Sequence, residues 1–252
     1  MDLGLEKKIV ILTGATGGIG RSICSAFLKE GSNVVPFFRN KEKLEQLIEW
    51  LGKKGHSGNS IFPVQVDIKK TNSVTQAVEI VRKKYKRIDI LINCIGTTNE
   101  RPFLLIEENE WDKEISINLT SIVRMIRIVL KPMFIAKSGV IINVSSILAS
   151  RFGRGTAAYS TSKAAIDRLT EVLAQEVGQK GIRVNAICPG VIKTKMTDSL
   201  LSRFYSTIME LSALQRVGDP DEVAPAVLFL ASELTASYIT GQKIIIDGGV
   251  GL

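Results

Sequence analysis

A chain of 252 residues, 45% of them hydrophobic, is long enough to bury a full core unaided, and its three cysteines, odd in number and widely spaced, exclude a disulfide framework and a cysteine-based metal site. No stretch stays apolar for the roughly 20 residues that span a bilayer, so the reading is a cytoplasmic protein with no membrane partner. The formal charge of +8 favours an anionic partner, whether nucleic acid, an acidic protein or a phosphorylated cofactor, without choosing among them.

Short apolar runs alternate with longer stretches of helical period along the whole chain. Strands buried on both faces are predicted over 9–12, 33–38, 61–66, 88–93, 140–145, 182–187 and 243–246. Helices are predicted over 18–30, 41–54, 72–86, 108–131, 157–179 and 219–232. That alternation implies right-handed crossovers and an α/β, doubly wound Rossmann domain, with seven parallel strands and helices on both faces. Residues 1–252 are read as one dinucleotide-binding and catalytic domain. Residues 189–218 break the rhythm and contain no strand, which predicts a substrate lid, with a plain surface excursion as the alternative.

Thr13-Gly14-Ala15-Thr16-Gly17-Gly18-Ile19-Gly20 follows the first strand and opens a helix. Glycines there let the backbone turn sharply and approach a pyrophosphate at the helix N-terminus. No Gly-Lys-Ser/Thr follows, which disfavours a nucleotide-hydrolase loop. The second strand ends in Arg39 with no acid to grip ribose hydroxyls, so NADP(H), with its 2′-phosphate, is favoured and NAD(H) stays open. Asp67 ends the third strand, where it either accepts from an adenine amino group or serves the local turn. Tyr159 and Lys163 lie four apart on one predicted helix face. An ammonium and an oxidised nicotinamide are both expected to lower the pKa of a neighbouring phenol, making proton transfer feasible.

These motifs fall in one register with others: Asn93-Cys94-Ile95-Gly96 after the fourth strand, Asn118 in the long helix, Ser146 thirteen residues before Tyr159, then Pro189-Gly190 with Thr194. Ile239-Thr240-Gly241-Gln242 through Asp247-Gly248-Gly249 closes the series. The sequence thereby resembles the short-chain dehydrogenase/reductase family over essentially its whole length. The resemblance implies a hydride-transferring oxidoreductase in which Ser146 binds the substrate oxygen, Tyr159 gives or takes the proton, Lys163 activates Tyr159 and holds the nicotinamide ribose, and Asn118 fixes a water. Ser145 is the neighbouring alternative to Ser146. For the cofactor it implies contacts from Gly14, Thr16, Gly18, Ile19, Gly20, Arg39, Asp67, Ile68, Asn93, Gly96, Tyr159, Lys163, Pro189, Gly190, Ile192 and Thr194. Two departures stand out: Ile95 replaces the family's usual alanine, and Gly17 stands where NADP-preferring members commonly carry a basic residue.

Within the family the layout is most similar to the 3-oxoacyl-[acyl-carrier-protein] reductases, which implies an acyl carrier protein as partner, with Lys137 and Lys180 as candidate docking residues. Apolar side chains of the lid, among them Met196, Phe204 and Met209, favour a lipid-like or ring substrate. Sugar, polyol and steroid dehydrogenases share the scaffold, and a non-catalytic dinucleotide sensor is a reading of another class. A nucleic-acid protein is disfavoured because the basic residues are scattered and no recognition motif appears. By the same resemblance a homotetramer or homodimer is expected.

Overall fold

The computed structural model describes residues 2–56 and 58–250. Its seven strands are β1 (Ile9–Thr13), β2 (Asn33–Phe38), β3 (Val64–Gln65), β4 (Ile90–Asn93), β5 (Gly139–Val144), β6 (Ile182–Pro189) and β7 (Lys243–Ile246). They form one sheet in the order β3-β2-β1-β4-β5-β6-β7, every neighbouring pair parallel. The chain starts at the centre, winds outward through β2 and β3, then crosses to the far side of β1. That reversal opens a crevice beyond the carboxyl ends of β1 and β4, where open α/β sheets bind ligands.

Alternate side chains of each central strand enter two separate cores. Val10, Leu12, Val34, Ile90 and Ile142 meet α1 (Gly18–Lys29), α2 (Lys41–Lys53) and α8 (Pro220–Ala231) through Phe27, Leu51 and Val227. Ile9, Ile11, Val35, Leu91 and Ile141 face α3 (Thr71–Tyr85), α5 (Ser121–Ala136) and α6 (Ala157–Val177) through Val78, Ile126 and Ile166. Two-sided burial is why these segments are apolar without interruption.

The structure departs from the sequence reading in three places. The third strand shrinks to two ladder residues, because Pro63 has no N–H to donate and only an isolated bridge joins Ile61 to Val34. The helix expected over 108–131 is two, α4 (Glu108–Ile115) and α5, joined by a π-turn over Ser116–Thr120. Residues 189–218 contain α7 (Asp198–Leu211), and the segment is pinched at its base where Ile192 bridges Gly218.

Arg183, an ionised side chain inside β6, is only 7% exposed. Its guanidinium donates to the carbonyls of Leu230 at 2.7 Å, Ala231 at 3.4 Å and Ser232 at 3.3 Å and to the carboxylate of Glu233 at 2.8 Å, so it caps the C-terminus of α8 at the start of α9 (Glu233–Ala236). Among the described residues no helix is long and apolar enough to cross a membrane.

Candidate active site

The turn after β1 is shaped by close approach. Gly14 sits at φ +72°, and a Cβ there would lie 2.3 Å from the Cys94 carbonyl oxygen, so β1 and β4 meet backbone to backbone at their carboxyl ends. A Cβ on Gly20 would come within 2.1 Å of the Gly14 carbonyl oxygen. Gly17 begins α1 with no side-chain cap and no acid in the first turn, leaving the helix N-terminus with free N–H groups and its positive end. Across this cradle, Thr194 closes in from the loop after β6, its Cγ2 only 2.5 Å from where a Gly18 Cβ would be. Thr16 and Ile19 are half-buried in the same turn. The site fits a dinucleotide pyrophosphate: small residues give room, and unpaired N–H groups supply the donors.

At the β2–β3 edge, Arg39, Gln65, Val66, Asp67 and Ser73 line a hollow of about 270 Å³. Asp67 also serves its own turn, accepting from Lys69 N–H at 3.1 Å, while its N–H donates to Ser73 Oγ at 2.9 Å. The Ile68 carbonyl is fixed by Arg124 at 2.8 Å. Asn93 points elsewhere: its amide donates to Asn143 Oδ1 at 2.9 Å within the sheet, and Asn143 in turn donates to Thr170 at 2.9 Å. Pro189 ends β6, and Gly190 donates to the Ile246 carbonyl at 2.9 Å. Ile192 is buried below the lid base.

On the other side of the crevice, Lys163 is 2% exposed, and its Nζ lies 5.6 Å from the Tyr159 ring centre. That Nζ donates to the Val144 carbonyl at 2.8 Å. Gly96 packs against it: a Cβ there would be 3.6 Å from Lys163 Nζ and 3.7 Å from Asn118 Oδ1. Asn118, in the π-turn, clasps the backbone of Thr97 twice, accepting from its N–H and donating to its carbonyl, both at 2.8 Å. Ser146 Oγ accepts from Leu148 N–H at 3.2 Å and lies on the side of the Tyr159 phenol, where it favours the phenolate. Ser145 turns the other way, toward the Lys163 carbonyl at 3.3 Å and the carboxyl of Asp167. The hydroxyl that meets Tyr159 is therefore that of Ser146.

The electrostatics run against the expected sign. Burial pushes the Tyr159 phenol up to about 12, with Ser146 opposing the rise and the acidic groups Glu114 and Cys94 adding to it; the buried Cys94 thiol is itself pushed up to about 12, so it adds charge only once it ionises. Burial brings Lys163 down to about 8, held back by Cys94, Asp167 and Cys188. The ammonium donates to Val144 rather than to the phenol, and desolvation outweighs attraction for both groups. In this state Tyr159 is a firmly protonated acid. Sequence reasoning missed Glu114, Cys94, Gln65 and Ser73; only Glu114 left a trace, lying four residues before Asn118 on the same helical run.

The family described as enoyl-(acyl carrier protein) reductase matches residues 14–251. The 3-oxoacyl-[acyl-carrier-protein] reductase of Chlamydia trachomatis is 39% identical over 246 residues, 98% of each chain. That of Thermotoga maritima is 36% identical over 246 residues, again 98% of each chain. Among solved structures, a short-chain dehydrogenase/reductase of Brucella melitensis, titled glucose/ribitol dehydrogenase, superposes with a TM-score of 0.91 at 30% identity and 100% coverage of both chains.

Proposed function

The chain belongs to the short-chain dehydrogenase/reductase family and is an oxidoreductase using a nicotinamide dinucleotide, and on that premise we propose that it reduces 3-oxoacyl thioesters carried on an acyl carrier protein, with NADPH. The observation that carries the reading is the meeting of Ser146, Tyr159 and Lys163 across the crevice from the glycine turn. The dinucleotide would supply the hydride. Gly14, Thr16, Gly18, Ile19 and Gly20 with the start of α1 take its pyrophosphate, and Arg39 takes the 2′-phosphate. Asp67 and Ile68 border the adenine. Asn93 braces the sheet beneath the site, while Gly96 and Lys163 face the nicotinamide ribose. Pro189, Gly190, Ile192 and Thr194 close the nicotinamide end.

The substrate oxygen sits between Ser146 Oγ and Tyr159 Oη. Ser146 donates to it as negative charge develops, and Tyr159, protonated throughout the neutral range, gives its proton to the alkoxide. Lys163, with a pKa near 8, gives up a proton readily and restores the one Tyr159 loses. Asn118 fixes the loop that carries Gly96 and keeps this group in place.

Lys137 and Lys180 come together, since a Cβ on Gly181 would be 2.6 Å from the Lys137 carbonyl and Lys180 Nζ lies 5.0 Å over Phe134. They do so at the amino ends of β5 and β6, opposite the crevice, so the carrier-protein reading rests on the likeness to the 3-oxoacyl reductases and not on this pair. Residues 189–218 act as the lid over the acyl chain, presenting Met196, Phe204 and Tyr205 at its exposed face. Ile245, 52% exposed on the unpaired edge strand β7, fits association with a second copy of the chain. Three free thiols suit a reducing, cytoplasmic setting.

The test follows NADPH absorbance with acetoacetyl and crotonyl thioesters of acyl carrier protein. Turnover of the 3-oxo substrate, lowered about 10²- to 10⁴-fold in Tyr159→Phe with NADPH binding retained, is the expected result. Turnover of the enoyl substrate alone moves the reaction to the double bond. Cofactor binding with no turnover of any carbonyl makes the chain a sensor and ends the proposal.

A further inference from the structure

Glu114 is a buried acid that the mechanism above leaves unused beside the site. It lies on α4, which packs against α6, the helix bearing Tyr159 and Lys163. The residue is 4% exposed. Its Oε1 is sealed from solvent without a hydrogen-bond partner among the described residues, and the backbone of Asn99 faces the carboxyl and favours its charged form.

Other acids near this domain's surface are answered by cations. Glu49 pairs with Lys53, Glu171 with Arg168 and Lys243, and Glu222 with Arg216. Glu114 has no such pair among the described residues. A carboxylate buried without a counter-ion keeps its field, because neither water nor a cation screens it, and it acts on the nearest titratable group. The Tyr159 phenol is within reach of that field. The full set facing the phenol is Glu114 from α4, Cys94 from the end of β4, Ser146 after β5 and Lys163 one turn along α6.

Glu114 also shares a task with Asn118, one turn onward. Asn118 clasps Thr97 through two hydrogen bonds and Glu114, four residues earlier, faces Asn99, so both side chains are directed at the loop that leads out of β4. A glutamine would do that second job equally well. The charge, which is costly to bury, is superfluous for the loop and has to be explained by something else.

We propose that Glu114 is a positioning residue for the proton transfer: its sealed, unpaired carboxylate keeps the proton on the Tyr159 phenol and so extends carbonyl reduction to higher pH than Ser146, Tyr159 and Lys163 alone would allow. The proposal rests on the reading of Tyr159 as the proton donor. A phenol delivers its proton only while it still bears it, and a neighbouring negative charge opposes the phenolate. Burial raises the Glu114 carboxyl, yet in the alkaline range where a phenol titrates it is ionised and its effect on Tyr159 is fully present.

The experiment is the pH profile of kcat/KM for acetoacetyl-thioester reduction by NADPH, and of 3-hydroxyacyl-thioester oxidation by NADP⁺, in wild type, Glu114→Gln and Glu114→Leu. In both variants the alkaline fall of reduction and the alkaline rise of oxidation are expected to move together toward acid by on the order of one pH unit. Glu114→Leu additionally loses the Asn99 acceptor and is expected to raise KM. A Glu114→Gln profile superimposable on wild type overturns the proposal, as does a shift seen in the leucine variant alone, which would trace to the loop. Glu114→Asp, which keeps the charge, is expected to hold the limb near the wild-type position, so the idea stays testable if a neutral variant folds poorly. Wild-type activity in Tyr159→Phe would remove the parent reading instead, and is scored independently of where the limb lies.

Discussion

Gly20→Ala puts the cofactor cradle to a quantitative test. The added methyl would start 2.1 Å from the Gly14 carbonyl oxygen and 2.9 Å from Ala15 Cα. Ordinary contact requires a retreat of roughly 1 Å, and what must retreat is backbone, which cannot rotate away as a side chain can. The Gly14 carbonyl also accepts the Gly17 N–H at 3.0 Å, so the displacement passes to the start of α1. Overpacking of this kind costs about 1–3 kcal/mol, or ~2–4 °C in Tm per kcal/mol in a chain of this size. A shift of the pyrophosphate donors by about 1 Å predicts on the order of 10²-fold weaker NADPH binding. Calorimetric titration with NADPH and a thermal melt of the unliganded protein measure the two effects separately. The control is Gly52→Ala in α2, where a Cβ meets nothing within 4 Å; it is expected to stabilise by about 0.5–1 kcal/mol and leave binding alone. Native affinity in Gly20→Ala would show that the turn does not hold the pyrophosphate.

Arg39→Asp is expected to weaken NADPH at least tenfold against NADH, read as the ratio of the two Kd values, since it replaces the cation that lines the β2–β3 hollow among the described residues with a repelling charge. Arg183→Met leaves the C-terminal carbonyls of α8 without their buried donor and should cost about 3 kcal/mol, measured by urea denaturation, with the coenzyme ratio unchanged. His56, bonded to Ser25 at 2.7 Å, has its pKa lowered by burial and by Lys29 and Lys54. The unfolded chain therefore binds the proton more readily, so stability is fully present above the usual value of about 6.5 and declines as pH falls below it. His56→Gln should flatten that decline in melts taken across the window.

The architecture was legible because a strand covered on both faces is apolar along most of its length, and Ile9-Val10-Ile11-Leu12 advertises this plainly. Where a single residue carries the exception, the pattern is silent. Pro63 erases most of a strand, and the π-turn at Ser116–Thr120 leaves the apolar spacing of its flanking helices intact. The count of thirteen back from Tyr159 picks Ser146, and in the fold Ser145 turns to the Lys163 carbonyl at 3.3 Å instead. The direction of the Tyr159 shift was not readable. It depends on how deeply phenol and ammonium are buried relative to how closely they touch, and both are products of packing. Glu114 and Arg183 were hidden for a kindred reason: a charged letter in a helix or strand reads as a solvent-facing position until the fold encloses it.

The five-residue turn between α4 and α5 holds one residue more than regular winding would need. Each residue rotates an α-helix by about 100°, so removing one from this stretch would let the backbone relax into ordinary winding while swinging everything before it around the axis. Asn118 and Glu114 would then lose their shared bearing on the loop after β4. The expected product of such a shortening is a sturdier helix in a protein that folds, binds its dinucleotide and has lost its grip on the reacting groups, so this irregularity marks a place where regularity and activity exclude one another.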